Sequence, residues 1–314
     1  MKRTNVLVMA AGCGPSISII KLLKDNDQIP VRIYASDCNP MSAGLYLADE
    51  YFILPKANSD YFIRDLKYVC NEAQIDVVFA PLDIDIEVIS KIKDSFERDT
   101  STKVLCCNRE QYKMTTNKSI NLDVLSEYNV TIPESSVNRL TKDYSKVRII
   151  KPIVGCGSKN HIILEKDEEL NCDVPYEFIC QEYIDGKEYS IDVLCDLNGN
   201  YITSVARERL EVRSGQTTKT RILKDSIIES YTKKVTSIFK IPGVSCLQCK
   251  VTDDNRIYFI ELNSRYGTGI DLTALSGINM PLLHLKMALG YSISSSELDY
   301  KTITGLRYWN EVAV

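Results

Sequence analysis

Over its first third the chain alternates short apolar runs with stretches of helical periodicity, and no other feature restricts its fold as much. Residues 6–10, 31–35, 77–80 and 104–107 read as short buried strands, while 17–24, 61–72 and 86–96 read as the helices between them. Strands that return through helices pair in parallel. The expectation is an α/β fold that opens with a Rossmann-like domain of about 110 residues, a normal domain size.

A change of composition follows. Residues 109–117 are polar and lack an apolar period, which marks the first boundary, and helical patterning resumes over 118–128. Residues 148–154 and 161–164 read as two strands joined by the loop Gly155-Cys156-Gly157-Ser158, a flexible hairpin. Strands at 176–183, 188–196, 201–207, 243–252 and 256–263, with a helix at 227–239, make the second half α+β with a mainly antiparallel sheet.

Composition narrows the classes of partner. The 314 residues are 44% hydrophobic and 25% charged, with a net charge of -4. That apolar content supports two or three modest cores. Without a basic field nucleic acid is not an expected partner, and any anion must be held locally. Met1-Lys2-Arg3-Thr4-Asn5 leads straight into a strand, and no apolar stretch suits a signal peptide or a membrane span, so a cytoplasmic location is expected. The eleven cysteines and two histidines form no paired zinc or disulfide framework, and reduced, packed thiols are expected.

The strongest local feature is Ile257-Tyr258-Phe259-Ile260-Glu261-Leu262-Asn263-Ser264-Arg265, a strand whose period of two puts Glu261, Asn263 and Arg265 on one face. A carboxylate and an amide oxygen are hard ligands suited to Mg2+ (or Mn2+), and Gln248 on the neighbouring strand offers a third oxygen. Arg265 could neutralise charge on a phosphoryl group in transfer. Lys118 opens a helix, and Lys151 ends an apolar strand ahead of Gly155, Gly157 and Ser158. Small residues let backbone N–H groups approach phosphate oxygens, and lysines act as point charges there.

Gln181-Glu182-Tyr183-Ile184 leads from a strand towards the turn Asp185-Gly186. Such a linker can present backbone groups to an adenine edge, with Ile184 against its face and Glu188 accepting from a ribose hydroxyl. Arg207 and Arg209, ahead of a glycine turn, could fix a substrate carboxylate or an acyl phosphate, Arg207 foremost. Each feature alone has a bland counterpart: a solvated strand end, a surface lysine, an ordinary hairpin, a charged hairpin face. His284, in an apolar helix, reads as a core residue and His161 as a loop residue. Gly12-Cys13-Gly14-Pro15 lacks the third glycine of a dinucleotide loop, because position 17 is isoleucine.

In order and spacing together these features resemble the ATP-grasp superfamily, and within it the single-copy members similar to the carbamoyl phosphate synthetase large subunit. That family has a helix-opening basic residue, a strand lysine before a glycine-rich hairpin, an E-x-x-[IL] hinge with a ribose acid, and a Q/E…E-x-N-x-R metal strand. Lys118, Lys151 with its glycine loop, Gln181 to Ile184 with Glu188, and Gln248 with Glu261, Asn263 and Arg265 occupy those positions. Gln181 stands where the family often has an acid, and Ser264 where proline is frequent. The resemblance implies a pre-ATP-grasp domain over 1–112, a lid subdomain over 113–185 and a C-terminal subdomain over 186–314, with ATP between the latter two. It also implies that the glycine loop after the first strand and Asp83 face the acceptor substrate, a side to which the arginine pattern assigns Arg209 as well.

The expected activity is an ADP-forming carboxylate-amine (or ammonia) ligase that uses ATP and Mg2+ and passes through an acyl phosphate. Two alternatives stay open: a small-molecule carboxylate or carbamate kinase, and an ATP-binding regulatory protein without turnover. The expected partners are small carboxylates and amines, with neither nucleic acid nor membrane. A homodimer is left open, because interface and core faces look alike in sequence.

Overall fold

The computed structural model describes residues 3–140, 143–155, 160–171 and 173–314, so Gly157 and Ser158 lie outside the described residues. The chain begins with β1 (Thr4–Val8), α1 (Gly14–Lys24), β2 (Val31–Asp37), α2 (Ala43–Leu47), β3 (Glu50–Ile53), α3 (Phe62–Glu72), β4 (Val77–Phe79), α4 (Asp83–Ile89), α5 (Lys93–Thr100) and β5 (Lys103–Leu105). The strands form a parallel sheet in the order β3-β2-β1-β4-β5. Val6, Leu7 and Val8 are all fully buried, as a parallel strand covered on both faces requires. The helix expected over 86–96 is two helices, α4 and α5, separated at residues 90–92. β3 has no apolar alternation because it is an edge strand, largely exposed.

The polar stretch at 109–117, which lacks an apolar period, is largely helical. It forms α6 (Arg109–Thr116), whose start is fixed by a reciprocal capping box between Asn108 and Gln111. Helix α7 (Lys118–Glu127) follows, capped by Asn117. Next come β6 (Ser135–Val137), β7 (Arg148–Pro152), β8 (Ile162–Leu164) and β9 (Phe178–Glu182), an antiparallel sheet in the order β6-β9-β7-β8. Its core is small, centred on Ile150, Leu164 and Cys180.

The remaining strands are β10 (Lys187–Cys195), β11 (Tyr201–Arg213), β12 (Gln216–Leu223), β13 (Gly243–Val251), β14 (Ile257–Asn263) and β15 (Thr304–Leu306). They form a six-stranded antiparallel sheet in the order β14-β13-β10-β11-β12-β15. Helices α8 (Ser226–Phe239), α9 (Ile270–Ala274) and α10 (Met280–Ala288) belong to the same half of the chain. Two cores run across the parallel and six-stranded sheets. Leu7, Val78, Ile191, Val193, Phe239 and Leu247 share one, and Val8, Ile19, Phe79, Leu194, Val205 and Leu283 share the other.

Period two divides the labour on β10. Tyr189, Ile191 and Val193 enter the α8 core, so Glu188, Ser190 and Asp192 point to the opposite side. Among the described residues no helix is long and apolar enough to cross a membrane. All nine described cysteines are free, most of them buried.

Candidate active site

A cleft of about 540 Å³ lies where the three sheets converge. The parallel sheet reaches it through residues 12–15 after β1 and 81–83 after β4. The strand order reverses direction between β1 and β4, and in open α/β sheets ligands bind beyond the carboxyl ends of the strands at such a switch point. Gly12 N–H donates to Asp37 Oδ2 at 2.7 Å, and a Cβ on Gly12 would lie 2.6 Å from Ser42 Oγ. Behind this loop, burial and then the charge of Asp37 push the Asp85 carboxyl up to about 7.

Helix α7 and the antiparallel four-stranded sheet each supply one lysine. Lys118 Nζ donates to Gly155 O at 3.1 Å. Lys151, 8% exposed, donates to Gln181 Oε1 at 3.0 Å, and Gln181 Nε2 donates to Ser135 Oγ at 2.9 Å. Burial, with help from the neighbouring Lys118 and Lys250 and against the pull of Glu261, lowers Lys151 to about 8. Its hydrogen-bond partner at position 181 is a neutral amide, and the carboxylates of Glu261 and Glu188 raise it by less than burial lowers it.

The segment 181–184 departs from its expected role in one respect. Glu182 N–H donates to Glu134 O and Tyr183 N–H to Val147 O, each at 2.8 Å. These donors are used in strand pairing, so they do not face an adenine edge; the sheet ladder continues further than the linker pattern suggested. Glu182 pairs with Lys146 at 3.1 Å, while Tyr183 and Ile184 line the cleft. Lys250, a cleft residue that sequence reasoning missed, donates to Ile184 O at 2.7 Å and lies 4.2 Å from the Tyr183 ring centre. Its signal was its parity with Gln248 on the same strand.

Gln248 and Glu261 are direct cross-strand partners, and Asn263 Nδ2 donates to Glu261 Oε1 at 2.9 Å. A bulge opposite Gln248 and Cys249 makes Ile260 and Glu261 both line the cleft, while Phe259 and Leu262 go to the core. One carboxylate and two amide oxygens fit a hard cation that completes its shell with phosphate oxygens. Arg265 lies just past β14, its Nε donating to Asp83 Oδ2 at 2.8 Å. Ser264 Oγ accepts from Thr115 Oγ1 at 2.9 Å, fastening α6 to the end of β14.

Arg207 is 1% exposed and its Nε donates to Asp192 Oδ2 at 2.9 Å; the same oxygen accepts from Thr273 Oγ1 at 2.5 Å. Burial pulls the guanidinium's pKa down, but Asp192 and neighbouring groups raise it by more, so Arg207 remains a cation at the floor of the cleft. Arg209 also lines the cleft but bonds to Glu188 and Gln248, which places it on the side expected to hold nucleotide and metal. Arg213 does not join them: irregularities beyond Arg209 break the alternation, and its side chain is 75% exposed. His161 lines the cleft, pushed down to about 4 by burial and by Lys151 and Lys118, hence neutral near pH 7. His284 is a core residue bonded to Tyr266 through Nδ1 at 2.9 Å.

Residues 175–311 match the family described as ATP-grasp in the biosynthetic pathway with Ter operon, and residues 6–105 match the PylC-like N-terminal domain. Residues 175–311 are thus an ATP-grasp domain. A carbamoyl-phosphate synthase of Methanobrevibacter smithii is 25% identical over 297 residues, covering 84% of this chain and 77% of that one. Among solved structures, the biotin carboxylase domain of Hydrogenobacter thermophilus 2-oxoglutarate carboxylase, in complex with MgADP, ADP and bicarbonate, superposes with a TM-score of 0.71 at 15% identity. It covers 96% of this chain and 73% of its own. The L-amino acid ligase of Bacillus licheniformis gives 0.69 at 15% identity, covering 97% and 79%. At such identities the two structures speak to the fold.

Two outcomes follow from this geometry. Below about pH 8 Lys151 is already charged; above it, the amine must take up a proton as a polyphosphate arrives, so Mg-ADP affinity should fall as pH rises past about 8. Gln181→Glu, placing a carboxylate beside Lys151, should move that break to higher pH in titration calorimetry, and an unmoved break would contradict the assignment. In Gly269→Ala the new Cβ would lie 2.3 Å from Arg207 Nη1. Because Arg207 is pinned by Asp192, the clash should destabilise the protein by about 1–3 kcal/mol and weaken the acceptor side while Mg-ADP still binds.

Proposed function

We propose that this protein is a magnesium-dependent ligase that phosphorylates a small carboxylate with ATP and passes the acyl group to an amine or ammonia. The observation that carries the reading is the convergence in one cleft of the Gln248–Glu261–Asn263 oxygens, the lysines at 118 and 151, and the buried cation of Arg207. In this reading ATP lies between the lid subdomain, 113–185, and the C-terminal subdomain, 186–314, with 1–112 closing the acceptor end.

Gln248, Glu261 and Asn263 would hold the magnesium ion, which would supply charge neutralisation on the polyphosphate. Lys118 and Lys151 hold the phosphate tail, and Glu188 holds the ribose. Arg207 orients the substrate carboxylate, whose oxygen attacks the γ-phosphorus as the bond to the β-phosphate oxygen breaks and ADP leaves. The amine then adds to the acyl carbon, phosphate departs with the C–O bonding pair, and the nitrogen loses a proton. Arg265, steadied by Asp83, faces the anionic phosphoryl group through both steps.

The likeness to a carbamoyl-phosphate synthase favours a second reading, in which the acyl phosphate is released as product. Product analysis separates the two: a kinase accumulates free acyl phosphate without any amine, whereas a ligase releases an amide, and no free acyl phosphate, when an amine is added. Glu261→Ala should remove magnesium-dependent ATP turnover, by about 100-fold or more, and leave the melting transition near that of the wild type. Arg207→Ala should reduce turnover while nucleotide binding persists. Undiminished turnover in Glu261→Ala would contradict the metal assignment.

A further inference from the structure

Arg209 makes contacts that a carboxylate-binding arginine does not need. Its side chain is 8% exposed, yet it carries a full positive charge between three strands. Nη1 donates to Glu188 Oε1 on β10 at 2.5 Å and reaches Gln248 Oε1 on β13 at 3.4 Å. Nη2 donates to the Gly215 carbonyl at 3.0 Å. Gly215 belongs to the two-residue turn between Arg213 and Gln216, where Ser214 and Gly215 both have positive φ, 49° and 77°. That hairpin tip, residues 214–217, is a wall of the cleft.

We propose that Arg209 is a positioning residue that joins the nucleotide-binding acid Glu188 and the metal-binding amide Gln248 to the β11–β12 hairpin tip, so that nucleotide binding and closure of the hairpin are coupled. The proposal rests on the ligase reading for the roles of Glu188 and Gln248. The planar fork suits it: one terminal nitrogen addresses two side-chain oxygens and the other a main-chain carbonyl, which a lysine ammonium at the end of a flexible stem does not reproduce. Glu188 is left with Oε2 to accept from a ribose hydroxyl, and its orientation is set before the ligand arrives. The hairpin tip is held from the cleft side by Arg209 through the Gly215 carbonyl and from the outer side by Arg307 through Gln216 Oε1.

The test uses the full chain with Mg-ADP as probe. In Arg209→Met and in Arg209→Lys, Mg-ADP should bind on the order of tenfold more weakly than to the wild type. In the double variant with Glu188→Gln the two losses should not add, because both remove one linkage. The second readout is tryptic cleavage after the exposed Arg213, followed as the mass of fragment 1–213. Mg-ADP should slow this cut in the wild type and not in Arg209→Lys, the milder variant that guards against misfolding. Unchanged or tighter Mg-ADP binding in both variants, additive losses, or equal protection of the hairpin would overturn the coupling. A wild type that does not bind Mg-ADP would overturn the ligase reading itself, and the coupling with it.

Discussion

The ion pair between Arg207 and Asp192 is the constraint around which the cleft is arranged. Both side chains are withdrawn from water, with 1% and 0% exposure, at the meeting of β10, β11 and the segment that leads into α9. A buried pair does little for stability relative to apolar residues of equal size, yet removal of one partner costs about 3–5 kcal/mol because it strands a charge. Gly269 has no side chain where one would strike the guanidinium, and Thr273 adds a hydrogen bond to the carboxylate. These neighbours make sense as the support of a fixed cation. Such a cation, tied on one side to Asp192, still lines the cleft on the other.

The six-stranded sheet uses its two faces differently. One packs through Ile191, Val193, Leu247 and Phe259 onto α8 and the first core. The other packs through Leu194, Val205 and Val244 onto α9 and α10 at one end and turns Glu188, Ser190, Arg209, Gln248, Lys250 and Glu261 into the cleft. A chain that leaves so many polar groups on one sheet face must meet them with ligand, water or a lid. The small core of the four-stranded sheet, set against the two large shared cores, marks that sheet as the element whose docking costs least to loosen.

Much of this was legible in the residues. The parallel sheet followed from its apolar runs, and the ExNxR strand end was readable because alternation puts Glu261 and Asn263 on one side. What was not legible depended on contacts between distant segments. The bulge at Ile260 gives no sequence signal, although it decides that Phe259 and Glu261 face opposite ways. Residues 109–117 showed no helical pattern because α6 is held by a capping box and by the Thr115–Ser264 hydrogen bond, not by an apolar stripe. The N–H groups of Glu182 and Tyr183 looked available until Glu134 and Val147 were found beside them. Arg209 read as a carboxylate ligand because its partners Glu188 and Gln248 come from strands whose register only the folded sheet sets.

The most direct test of the central claim is to identify the nucleotide product when the purified protein, magnesium and ATP are supplied with pooled small carboxylates, with and without amines. The account predicts ADP and phosphate, formed only when a carboxylate is present and joined by an amide product when an amine is added. AMP and pyrophosphate would contradict the acyl-phosphate route and require a different role for Arg207 and the Gln248–Glu261–Asn263 site.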